Sequence, residues 1–184
     1  MNTTTYENAQ ATARLWTIDK VHSTVRYEIE HNGSTTFRGA FKDVDASLEY
    51  GDEGVKISGS VRVDSVDLAD ETQKGHVLSP DFFDAERYPT IDYESTQVTI
   101  DGDEAVVDGT LTIRGESRPL TIRGKIGRPH PNIGGGQTLP ISLGATINRQ
   151  DYGVRWNAEL PNGSKVLGDD VRVEVELELL ESDR

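Results

Sequence analysis

No cysteine occurs among the 184 residues, so disulfides, thiolate nucleophiles and thiolate metal sites are excluded. Apolar residues are few: 34% of the chain is hydrophobic and 7% aromatic, lean for a filled core. No apolar run has the length of a membrane-spanning helix. Residues Met1 to Arg14 are polar and lack the apolar stretch of a secretory signal. That reading predicts a cytoplasmic protein, or a periplasmic or secreted one if a native signal has been removed. Positive charge is also short: 19 Lys and Arg stand against 32 Asp and Glu, a net charge of -13. Such a field repels phosphate backbones and anionic membrane surfaces, which argues against a nucleic-acid partner. The four histidines, His22, His31, His76 and His130, show no close ligand spacing, so no metal is expected. Ser23, Ser79 and Ser142 lie in no nucleophile-elbow pattern. Gly134-Gly135-Gly136 lacks the strand before and helix after that a phosphate loop needs.

What the chain does have is alternation with period two, the mark of strands with one buried face. A single domain is expected over residues 15–180, with flexible ends at 1–14 and 181–184. From His22 to His31, Val25, Tyr27, Ile29 and His31 share one face with Ser23, and Arg26, Glu28 and Glu30 the other. Phe37, Gly39 and Phe41 alternate next, then Val44 to Tyr50, then Val55 to Val63. Ile91 and Tyr93 open a further strand. Leu111 and Ile113 precede a tight hairpin turn at Arg114-Gly115-Glu116-Ser117. Leu120 to Ile126, Leu139 to Ile147 and Val171 to Leu179 complete the set. Gly127 to Gln137 and Asn148 to Gly168 read as irregular. One block, about Asp67 to Glu86, is marked for helix, with Ser79 as a cap and Pro80 in the first turn. Its Phe82 and Phe83 suggest a plug or lid.

About eight strands with one wet face each predict an all-β protein. An antiparallel barrel with short helices over one end is the leading form, and a two-sheet sandwich uses the same alternation. Gly39, Gly59, Gly109 and Gly124 fall in the inward phase, as do Ala46 and Ala145. Glycine gives a strand no side chain to pack. The space is either filled by facing aromatics or left for an apolar ligand. The inward residues expected to touch such a ligand are Tyr27, Ile29, Phe37, Phe41 and Ile57. Phe82, Phe83, Tyr93, Leu111, Leu143 and Ile147 join them. His31 and Arg149 are candidates for a polar head group, with Tyr152 and Trp156 at the rim. Arg149 and Asp151 also read as an ion pair holding the turn before Gly153.

Several blocks resemble a known family in their order: Trp16-Thr17-Ile18-Asp19 with His22-Ser23-Thr24-Val25, and Phe37-Arg38-Gly39-Ala40-Phe41. His76 to Phe83 with Tyr88-Pro89 follows, then Gly109 to Gly115, then Asn148 to Gly153. Together they resemble the YceI-like family of polyisoprenoid-binding proteins. The resemblance implies a lipocalin-like, eight-stranded antiparallel barrel. It implies a carrier that holds isoprenoid quinones, polyprenyl phosphates or fatty amides, and homodimers among some members. The family's usual aspartate two residues before the helical histidine is Lys74 here. The leading expectation is therefore a non-enzymatic lipid-binding protein with no cofactor beyond its isoprenoid or quinone-like ligand. The alternatives are an enzyme acting on a lipid or quinone through Ser23, His31 or a tyrosine, and a filled β-barrel serving as a stress or interaction module.

Overall fold

The computed structural model describes residues 15–182; the expected flexible end at 1–14, and residues 183–184 of the one expected at 181–184, lie outside the described residues. Eleven strands form one antiparallel sheet: β1 (Leu15–Ile18), β2 (Thr24–His31), β3 (Thr35–Phe41), β4 (Val44–Gly51), β5 (Gly54–Arg62) and β6 (Thr90–Asp101), followed by β7 (Glu104–Ile113), β8 (Glu116–Ile126), β9 (His130–Pro131), β10 (Gln137–Asn148) and β11 (Leu167–Ser182). Pairing of β11 with both β1 and β10 closes the ring β11-β1-β4-β5-β6-β7-β8-β10, an eight-stranded barrel. The sandwich is thereby excluded. Two boundaries need correction. The barrel runs past 180, because Glu181 and Ser182 pair with Trp16 and Leu15. The Gly127 to Gln137 stretch contains β9, which pairs with Gln137 and Thr138.

The long strand β11 organises the closure. One of its edges pairs with β10 from Thr138 to Asn148. Its other edge pairs first with β2 and then, nearer the end of β11, with β1. β1 bridges to β4 and seals one end of the barrel. Towards the other end β2 turns into β3, whose outer edge has no strand alongside it among the described residues. There Phe41 makes a single bridge to Val66, and two backbone bonds join Lys42 to Ser65 and Asp67 to Ala40. The result is a lateral seam beside β3.

Turn chemistry follows the sequence closely between β7 and β8. Arg114 and Gly115 both have positive φ, 55° and 75°, and Ile113 pairs directly with Glu116. That is the type I′ hairpin, whose twist matches the flanking strands. Gly124 has a different task. It sits at φ +153°, and a Cβ there would overlap the Ser142 carbonyl oxygen on β10. Backbone cannot retreat as a side chain can. Gly124→Ala is expected to lower stability by about 2 to 3 kcal/mol, through overpacking and backbone strain. A thermal melt of this variant should fall by roughly 5 to 10 °C. An unchanged midpoint would show that β8 and β10 separate freely.

The helical block is shorter than expected. One α-helix occurs among the described residues, α1 (Glu71–Leu78), with 3-10 turns at Val63–Ser65 and Arg149–Tyr152. Asp70 is its N-cap, accepting a hydrogen bond from Gln73 N at 2.7 Å. Ser79 ends the helix instead of starting one: its hydroxyl donates to His76 O at 2.7 Å. The residue before a proline disfavours the helical region, so Ser79-Pro80 is a stop signal. No helix among the described residues is long and apolar enough to cross a membrane.

Candidate functional site: an apolar chamber in the barrel

Inward residues at the end sealed by β1 are close-packed. Leu48, Val107, Ile126 and Leu139 are 0% exposed, and Trp16 and Leu179 pack with them. At the other end a second cluster forms from Ile113, Ile147, Tyr152 and Val154, with Phe82 and Phe83 against it. Between these two plugs the bore is hollow. Val25, Ile29, Leu111, Val171 and Val173 point inward yet are only half-buried, because they face open space. The chamber has a volume of about 360 Å³. That falls in the range of small-molecule sites, roughly 300 to 1,000 Å³.

The roof is aromatic. The His76 ring on α1 meets Phe82 edge-on at 5.0 Å and Trp156 edge-on at 4.8 Å. Phe82 and Trp156 lie 5.2 Å apart. Deeper in, Phe83 contacts Phe41 at 6.2 Å, and Phe41 contacts Tyr27 at 5.7 Å. The roof is pinned. Arg114, at the β7–β8 turn, donates to Phe82 O at 2.6 Å and to Gly153 O at 3.2 Å. Phe83 N donates to Val77 O, and Asp84 N to Ser79 O. No local pattern in the sequence marks Arg114 for this role.

Tyr27, Ile29, His31, Phe37, Phe41, Ile57, Phe82 and Phe83 all line the chamber. So do Tyr93, Leu111, Leu143, Ile147, Arg149 and Trp156. Tyr152 does not. It is 3% exposed and belongs to the packed cluster beside the roof, so its placement at the rim is corrected. Ser23 also stands outside, where its hydroxyl accepts from Glu178 N at 3.1 Å. The valines of β11 complete the wall. Their alternation is plain in the sequence.

The glycines divide three ways. A Cβ at Gly39 would overlap the Tyr27 ring, and one at Gly109 both the Glu94 carbonyl oxygen and the Tyr93 ring, so the first position is covered by an aromatic and the second by an aromatic and backbone together. Gly124 serves the backbone contact described above. Only Gly59 opens on the chamber, with no atom closer than Asp45 O at 3.8 Å from its would-be Cβ.

Arg149 reaches the chamber wall but is engaged elsewhere. It is 4% exposed. Its Nε donates to Gly168 O at 2.8 Å, and its Nη1 to Val154 O and Trp156 O, both at 2.8 Å. Its Nη2 meets Asp169 Oδ1 at 3.3 Å. The expected pair with Asp151 is thus replaced by one with Asp169, across a distance in sequence that spacing does not reveal. Burial lowers the Arg149 pKa, and the Asp169 charge opposes it. Asp169 is held below the usual carboxylate value, first by the hydrogen bond from the Gln150 amide. Burial pushes the Tyr27 and Tyr93 phenols up to about 12, so both stay neutral donors near pH 7.

Away from the bore, Asp19, His22 and Glu178 place ligand atoms within 4.8 Å of one another. His22 and Glu178 are exposed, and Asp19 already bonds His22 Nδ1 at 2.9 Å and accepts from Val21 N. Mutual pairing accounts for this trio.

A closed antiparallel barrel, packed at one end, roofed at the other and hollow between, is a lipocalin-like architecture. The YceI-like domain model matches residues 16–179, and the chain belongs to that family. A UPF0312 protein of Pseudomonas aeruginosa is 30% identical over 153 residues, 80% of each chain. One from Staphylococcus epidermidis is 32% identical over 165 residues, covering 87% of this chain and 94% of its own. Among solved structures, the Campylobacter jejuni YceI protein aligns at TM-score 0.69 and 26% identity, over 90% of this chain and 97% of that one. A polyisoprenoid binding domain from Saccharophagus degradans aligns at TM-score 0.70 and 13% identity, over 93% and 100%.

Proposed function

We propose that this chain binds a long-chain isoprenoid, such as a polyprenyl compound or isoprenoid quinone, or a similar amphiphilic lipid. It sequesters or carries that molecule without changing it. The observation that carries the reading is the hollow, apolar stretch of bore between two packed ends. Family membership and the Saccharophagus degradans polyisoprenoid binding domain, which shares the fold, point the same way. Burial of a prenyl tail is the driving force, at roughly 0.8 kcal/mol per CH2. Five carbons contribute about 4 kcal/mol, so a few units offset the roughly 4 to 15 kcal/mol lost on association.

A binding role also suits the polar groups of the chamber. Its phenols are neutral, and Arg149 is engaged by backbone carbonyls and Asp169. A general acid and base in mutual reach would be needed for turnover. Among the described residues, His31 and His76, the two lining histidines, have no such partner within the chamber; His76 Nε2 faces the exposed Asp81 at 3.5 Å.

The test is native mass spectrometry of protein from its own source, followed by organic extraction. A bound lipid at one per chain is the expected result. Titration with an isoprenoid quinone should show a negative heat-capacity change. Lipid-free protein in every preparation, together with failure to take up a prenyl probe, would sink the reading.

A further inference from the structure

Two tyrosines in the bore are built alike and end differently. Tyr93 on β6 lays its ring over Gly109 on β7. Its hydroxyl reaches onward to carbonyls of the barrel wall, Val107 O at 3.0 Å and Leu120 O at 3.1 Å. Leu120 belongs to β8, the next strand over. Tyr27 on β2 lays its ring over Gly39 on β3 in the same way. But β3 is the edge strand at the seam, and among the described residues no further strand lies beyond it. The Tyr27 hydroxyl accordingly finds no hydrogen-bond acceptor among the described residues, whereas its ring packs against Phe37 and Phe41. The hydroxyl is not sealed off either: the buried polar side-chain atom left without a partner among the described residues is Trp16 Nε1, so Tyr27 keeps a donor open to a partner that enters the chamber it lines.

We infer that the Tyr27 hydroxyl is the donor that seats an uncharged oxygen of the ligand, of the carbonyl type found in quinones and amides. This rests on the lipid-binding reading and adds the chemistry of the head group. A diphosphate head is disfavoured because the arginines nearby are not free to meet it in the chamber. Arg149 is bound to four acceptors, and Arg26, the other arginine at the chamber, has an exposed side chain. A buried phosphate would lack a countercharge, at a cost of several kcal/mol per charge. A neutral carbonyl needs only one donor. Gly39 is the positioning residue, because any side chain there displaces the ring.

The experiment compares two probes that differ only in their oxygens: geranyl-1,4-benzoquinone and geranylbenzene. Tyr27→Phe keeps the ring over Gly39 and removes the hydroxyl. Its expected effect is a threefold to tenfold weaker affinity for the quinone, on the order of one neutral hydrogen bond, and an unchanged affinity for geranylbenzene. The infrared carbonyl band of the quinone should shift to lower frequency on binding the parent protein and lose that shift in Tyr27→Phe. Equal weakening of both probes, or no weakening of either, overturns the inference and leaves the carrier reading intact. Failure of the parent protein to bind either probe overturns the inference, and with lipid-free protein in every preparation from its own source it removes the carrier reading as well.

Discussion

Gly59→Phe should fold as the parent does and lose its ligand. Gly59 lies on β5 opposite Ala46 and Tyr93, in the inward phase. A Cβ there meets nothing closer than 3.8 Å, so a larger side chain grows into the chamber without striking the wall. The chamber is about 360 Å³, and a phenyl ring occupies space that a prenyl unit would otherwise take. Excluding one five-carbon unit removes roughly 4 kcal/mol of tail burial, about three orders of magnitude in affinity. Repacking recovers part of this, so a loss of at least about a hundredfold for an isoprenoid quinone is expected. Gly59→Ala is the control. It should bind nearly as the parent does and melt slightly higher, because glycine weakens a strand by roughly 0.5 to 1 kcal/mol. Calorimetric titration of the three proteins decides the matter. Full binding by a folded Gly59→Phe would mean that the ligand sits somewhere other than the bore.

The same glycine shows how far the residues alone could be read. Alternation along each strand put the right side chains inward, because burying one face of a sheet forces period two regardless of which strands pair. It also put four glycines inward. What each glycine faces depends on the neighbouring strand, and alternation carries no information about that. Gly39 is a seat for a tyrosine ring, Gly109 a seat for a ring and a close approach of the Glu94 carbonyl, Gly124 a backbone crossing, and Gly59 an opening. The hollow is real, but glycine count alone was a poor measure of it. The better measure is the set of inward valines and leucines left half-buried, which only assembled coordinates reveal.

Helix reading met a different obstacle. Ser79-Pro80 has the composition of a helix start, yet the structure caps the helix nine residues earlier, at Asp70. Asp70 won because the segment after Ser79 is taken up by turns that set Phe82 and Phe83 under α1. The irregular stretch after β10 was the least legible. Tyr152 and Trp156 are both aromatic and four residues apart, yet one is packed away and the other faces the chamber. The 3-10 turn at Arg149–Tyr152 and the left-handed Gly153 separate them, and both features are set by contacts distant in sequence.

Arg149→Met should cost more stability than any other single change in that stretch. The methionine fills most of the volume and removes every donor. The carbonyls of Val154, Trp156 and Gly168 then lose their partner, and Asp169 loses part of its compensation. Each stranded buried acceptor costs about 1 to 3 kcal/mol, and removing one member of a buried charged pair about 3 to 5. Water will reach some of these groups, because Asp169 is 37% exposed. A net loss of about 3 to 5 kcal/mol is expected, a fall of roughly 6 to 20 °C in the melting midpoint. Arg149→Lys should recover little. An ammonium is a point donor and cannot span four acceptors held in a planar fork. The damage should also reach the chamber, because Trp156, part of its roof, is held through the carbonyl that Arg149 grips. Hydrogen exchange should therefore rise across residues 154–168 and in α1, while β4 and β5 at the packed end stay protected. Faster exchange spread evenly over the barrel would instead make Arg149 a general support of the fold, with no particular hold on the roof.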